Sequence, residues 1–137
     1  MSEETPLINL EHLEEMLRHA PFHRWLGLEI ISCTDAHLKL KMPWRAEIVS
    51  NPAIGAAHGG VLASLIDLTG LYALVAKGAK AKATADLRVD YHRPVTNGPL
   101  TALGHVVKIG KQISVAETSV IGPDGKLLAS GRGAYIC

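Results

Sequence analysis

The chain has 137 residues, the size of one hydrophobic core, and its 47% hydrophobic and 20% charged content suits a folded domain rather than a disordered one. A formal net charge of +1 supplies no field for a phosphate backbone, so nucleic acid is excluded as the expected partner. Two cysteines, Cys33 and Cys137, are too few for a disulfide framework and give no metal-ligand spacing, and the acidic start MSEETPLINLEHLEEM lacks a secretory signal, so a cytoplasmic protein is expected.

In chain order, Asn9 can cap a helix in which Leu10, Leu13, Met16 and Leu17 recur at helical spacing, ending at His19 with Pro21 as the stop. It reads as an amphipathic lid, and residues 1–21 as a helical extension of one domain spanning 1–137. Residues 28–33 form an apolar strand, and Leu38, Leu40 and Met42 alternate with His37, Lys39 and Lys41 as a half-exposed strand. The stretch from Gly59 to Ala76 is apolar almost throughout. By length it could span a bilayer, but Asp67 at its centre and the sheet-like remainder of the chain favour a helix buried by surrounding strands, with no membrane.

From residue 83 the period changes to two. Ala83, Ala85, Leu87, Val89 and Tyr91 alternate with Thr84, Asp86, Arg88, Asp90 and His92. Residues 100–109 and 112–121 are joined by Gly110-Lys111 as a hairpin, and Gly122-Pro-Asp-Gly125 turns the chain into a last strand over 127–136. Strands grouped around one buried helix give an α+β fold, an antiparallel sheet wrapped about a central long helix.

Asp67 is the most informative residue, because a carboxylate within an apolar helix is costly unless paired, solvated or functional. Gly60, Ala63 and Gly70 share its face at intervals of three and four, leaving room for a ligand or a second backbone. Spacing alone equally allows Asp67 to accept bonds from Tyr72 or a loop amide and only fix packing. His58-Gly59-Gly60 stands at the expected start of the helix, where unpaired amides favour negative charge and an oxyanion hole can form, although an ordinary glycine-rich turn has the same composition. The seven histidines show no metal-binding spacing. No phosphate loop, nucleophile elbow or dinucleotide turn occurs.

Taken together, Asn51, His58-Gly59-Gly60, Asp67 and the strand TADLRVDYHRP over 84–94 resemble the hotdog-fold acyl-coenzyme A thioesterases of the phenylacetate-degradation type. The resemblance runs through Gly110-Lys111 and Gly125-Lys126 to Gly131-Arg132 and covers nearly all of the chain after Phe22. It implies hydrolysis of an acyl-coenzyme A thioester, with Gly59 donating its amide to the thioester oxygen and Asn51 helping to polarise it. Asp67 from a neighbouring subunit would activate water, Thr84 would hold that water, and His58 would orient the loop or Asn51. It implies a homodimer, paired again into a tetramer, and no metal or covalent cofactor. Arg88, Arg93, Lys111 and Arg132 are candidate partners for the phosphates of coenzyme A, with Gly60 beside the substrate. One departure concerns Asn51, which six residues separate from His58 where the family usually has five. Two other activities are open to the fold: an acyl-thioester dehydratase or hydratase using His58 with Asp67, and a non-catalytic acyl-coenzyme A sensor.

Overall fold

A computed structural model describes residues 8–137. The first helix, α1 (Leu10–His19), is capped by Asn9, whose side chain accepts from the His12 amide at 2.8 Å. Leu13 and Leu17 are its buried face. Pro21 does more than stop it: proline suits the first helical position, and it opens a second helix, α2 (Pro21–Leu26), which ends at Gly27 with φ 73°. Within the expected extension over 1–21, residues 1–7 lie outside the described residues.

Strands β1 (Glu29–Cys33) and β2 (Leu38–Met42) follow, the latter burying Leu38, Leu40 and Met42 as its alternation requires. Between β2 and the long helix the chain makes a short 3₁₀ turn and a small ribbon of β3 (Val49–Asn51) and β4 (Ala56–Ala57), none of which the period analysis marks. The long helix α3 occupies Gly59–Ala76, and then come β5 (Ala83–Tyr91), β6 (Leu100–Lys108), β7 (Ile113–Ile121) and β8 (Leu127–Ile136).

Six strands form one antiparallel sheet in the order β1-β2-β6-β7-β8-β5, so β1 and β5 are its edges. The sheet wraps α3, and the arrangement is the expected hotdog. Leu62, Leu65, Ile66, Leu68, Ala73, Leu74 and Ala76 of α3 are buried. The helix is long and apolar enough to cross a membrane, and here the sheet covers it instead. Each fully buried leucine or isoleucine contributes roughly 1.5 to 3 kcal/mol.

Glycines set how closely helix and sheet approach. A Cβ at Gly104 would stand 3.0 Å from the Thr69 methyl, and one at Gly131 2.9 Å from the Ile66 side chain. Tyr135, fully buried on β8, lies over Gly133 and reaches Gly70, where a Cβ would stand 2.5 Å from its hydroxyl. The room at Gly70 is therefore filled by a tyrosine of the protein's own sheet, and not by a ligand or a second backbone.

Candidate active site

Asp67 sits in the middle of α3, half-buried, on the side turned to β5. Thr84 donates its hydroxyl to Asp67 Oδ1 at 2.6 Å. Strict alternation along β5 would put Thr84 on the outer face with Asp86 and Arg88. The structure corrects this: Thr84 pairs with Tyr135 and Asp86 with Ala134, so Ala85 is an extra residue in a β-bulge. The bulge turns Thr84 to the helix side, beside the core-facing Tyr135. Tyr72, the alternative partner for Asp67, sends its hydroxyl elsewhere, to the Met16 carbonyl at 3.3 Å. A second tyrosine acts on the main chain of Asp67, for Tyr135 donates to its carbonyl at 2.8 Å. Burial, and secondarily the charge of Asp67, push the Tyr135 phenol above its ordinary range, which keeps it neutral and donating.

Eight residues earlier the helix begins. His58 is its cap, with Nδ1 accepting from the Gly60 amide at 2.9 Å, which places the ring proton on Nε2. The His58 amide donates to the Ile48 carbonyl at 2.7 Å, tying the helix entry to the preceding loop. The Gly60 amide is thus already engaged, whereas the Gly59 amide donates to no described residue. Both glycines have local reasons. A Cβ at Gly60 would stand 3.2 Å from His58 Nδ1, and one at Gly59 3.2 Å from the Tyr91 ring. Tyr91 donates its hydroxyl to the Gly59 carbonyl at 2.7 Å.

Asn51 lies exposed on β3, where its Oδ1 accepts from the Ala53 amide at 3.2 Å; the His58 ring serves Gly60 and not Asn51. Of the four cations, Arg88 and Arg132 are brought together as cross-strand partners on β5 and β8, each beside a carboxylate, and Lys111 and Arg93 stand apart. Arg132 donates twice to Glu117 Oε2, at 2.6 and 3.1 Å, and Arg88 lies 3.4 Å from Asp90. Lys111 is in the β6 to β7 turn, beside Gly78 after the far end of α3. Arg93 follows Tyr91 closely, and the adjoining Val95 carbonyl accepts from the Ala57 amide at 2.8 Å, so Arg93 is the one at the Gly59 end. Among the described residues no three His, Cys, Asp or Glu side chains converge as a metal set.

The unbonded amide and the carboxylate are far apart within one chain. Eight residues of helix span about 12 Å and turn about 80°, while a donor and a base serving one carbonyl each stand about 3 Å from their atoms. Both lie against β5, an edge strand exposed over residues 83–86. The two tyrosines at these points were not marked as site residues; their hydroxyls meet helix carbonyls 32 and 68 positions away, a pairing no local pattern carries.

A family model of the Thioesterase superfamily matches residues 54–129, which include Gly59, Asp67 and Thr84. A solved protein from the thioesterase superfamily superimposes with a TM-score of 0.89 at 40% identity, covering 93% of this chain and 97% of its own. The PaaI protein from the phenylacetic acid degradation operon of E. coli gives a TM-score of 0.76 at 30% identity, covering 93% and 95%. Medium/long-chain acyl-CoA thioesterase YigI of Salmonella typhimurium is 30% identical over 140 residues, covering 90% of this chain and 89% of its own. With its antiparallel sheet wrapped on one central helix and a family match over more than half its length, the chain belongs to the thioesterase superfamily and is a hotdog-fold enzyme.

Proposed function

We propose that the protein hydrolyses acyl-coenzyme A thioesters to a free acid and coenzyme A, as a dimer in which each site combines Asp67 of one chain with Gly59 of the other. The observation that carries this reading is the Thr84 to Asp67 bond of 2.6 Å on the side of α3 facing the open edge strand. Thr84 gives its only proton to Asp67, so its lone pairs are left to accept from water. A water held between Thr84 Oγ1 and Asp67 Oδ2 loses one proton to the carboxylate as it attacks the carbonyl. The Gly59 amide, at the positive end of α3, receives the oxyanion. Collapse breaks the carbon–sulfur bond, and the proton on Asp67 passes to the departing thiolate. This chemistry asks for no metal or covalent cofactor.

The open edge of β5 supports the dimer, because an unpaired edge is a liability that pairing with its copy would remove, and the gap of about 12 Å within one chain needs a second chain to close it. The name of YigI, a medium/long-chain acyl-CoA thioesterase, supports the substrate class. Arg93 is the cation we assign to a coenzyme A phosphate. His58 as cap, with Nδ1 engaged, counts against a hydratase pair with Asp67.

The test is release of free thiol from benzoyl-, phenylacetyl- and straight-chain acyl-coenzyme A by wild type and Asp67→Asn. Turnover by wild type, falling about 10²- to 10⁴-fold in a folded variant, is expected for loss of a positioned base. Equal turnover in the variant would make Asp67 structural. Silence from folded wild type on every substrate would favour the sensor. Heavy oxygen from labelled water found in Asp67 after one turnover would replace general-base attack with an anhydride.

A further inference from the structure

We infer that Tyr91 is a positioning residue that aims the Gly59 amide at the developing oxyanion, a role that rests on the thioesterase reading above. Its hydroxyl donates to the Gly59 carbonyl at 2.7 Å, and its ring atoms stand 3.2 to 3.3 Å from where a Cβ on residue 59 would lie. That carbonyl and the Gly60 N–H belong to one planar peptide unit. The N–H is held by His58 Nδ1 at 2.9 Å, so the unit is gripped at both ends, by a phenol and by an imidazole. On the other side, the His58 amide is tied to Ile48 at 2.7 Å. The peptide between His58 and Gly59, which carries the unbonded amide, therefore lies between two anchored neighbours.

This matters because glycine has the widest backbone freedom of any residue. An oxyanion donor works by being fixed before the charge appears, so that no reorganisation is needed during the reaction. The His58 carbonyl of the peptide between His58 and Gly59 accepts from the Val61 amide at 3.0 Å, which holds one end of the unit while the Gly59 side stays free to turn. Tyr91 completes the aim from the Gly59 side without occupying the amide, since it bonds the next carbonyl. It also comes from β5, the strand that carries Thr84, so one edge strand orients both the base and the donor of its own chain.

The test uses full-length Tyr91→Phe, which keeps the ring over Gly59 and removes only the oxygen, with Tyr72→Phe as a matched control. Tyr72 makes a comparable bond from α3 to a main-chain carbonyl, that of Met16, farther along the helix. In Tyr91→Phe, kcat on a thioester falls about 10-fold with KM nearly unchanged, less than the 10²- to 10³-fold lost with a whole donor, and Tyr72→Phe keeps wild-type kcat. By nuclear magnetic resonance, hydrogen exchange at the Gly60 amide accelerates in Tyr91→Phe and not in Tyr72→Phe. Wild-type kcat in Tyr91→Phe, or a loss carried by KM alone, overturns the role and leaves the thioesterase reading standing. An equal kcat loss in both variants makes the effect one of general helix loosening and also overturns it. If wild type hydrolyses no thioester, the thioesterase reading and the catalytic role fall together, and unchanged Gly60 exchange then removes the clamp as well.

Discussion

At the scale of single residues, Asp67 is useful only as far as its carboxylate is held, and Thr84 holds it. A hydrogen bond to a charged group is worth about 1.5 to 3 kcal/mol, so Thr84→Val should lower kcat by about 10- to 100-fold. Thr84→Ser, which keeps the hydroxyl, should stay near wild type in the same thiol-release assay. Gly70 and Tyr135 form a second testable pair. Gly70→Ala places a methyl 2.5 Å from the Tyr135 hydroxyl, an overpacking that costs about 1 to 3 kcal/mol against a helix-propensity gain of about 1 kcal/mol. Chemical denaturation should show Gly70→Ala less stable than wild type, and Tyr135→Phe should remove most of the penalty in the double variant. Asp67 was legible in the sequence because a lone carboxylate in an apolar helix is anomalous wherever it occurs. The reason for Gly70 was not, because glycine spacing says that space exists and not what fills it.

At the scale of elements, α3 was legible to its ends, since an 18-residue stretch that opens on two glycines and is apolar almost throughout follows a capping histidine. Strand β8 was equally plain, as was the alternation of β2. The β3 to β4 ribbon escaped notice because two- and three-residue strands carry no period. The bulge at Ala85 escaped for a related reason: an alternating sequence does not reveal an inserted residue, and this one moves Thr84 from the outer face to the helix. Burial of two ionisable groups leads to a pH prediction. Burial raises the Tyr135 phenol, and it raises the Cys33 thiol against a smaller opposing effect of Lys77. In both, the folded chain favours the neutral form where the unfolded chain ionises. Their contribution is therefore complete below about pH 9 to 10 and is lost as the pH rises beyond it. Urea unfolding at about pH 8 and about pH 11 should show stability falling on the alkaline side, with a shallower fall in Tyr135→Phe.

At the scale of the whole molecule, the sequence carries the family through nearly its full length, while the proposed division of the site between two chains leaves only indirect marks. Those marks are an edge strand that is largely exposed and two functional groups that one straight helix holds about 12 Å apart. Residue patterns report the inside of a chain well because burial selects apolar side chains; a partner's edge is recognised by main-chain groups, which every residue shares.

The most direct test of the shared site is complementation between two inactive chains. Gly59→Pro deletes the amide at the first helical position, where proline is favoured. His58, at φ −62° and ψ 131°, already has the backbone conformation that precedes proline, and a Cβ at residue 59 asks Tyr91 to give by only a few tenths of an ångström. Asp67→Asn deletes the base. Each homodimer alone should be nearly inactive. Unfolded and refolded together in equal amounts, half the dimers are mixed, and each mixed dimer has one site with both defects and one with neither. Recovery of about one quarter of wild-type thioester hydrolysis is the predicted result. Mixtures that stay as inactive as their parents, with mixed dimers demonstrated by mass, would contradict a site built from Asp67 of one chain and Gly59 of the other.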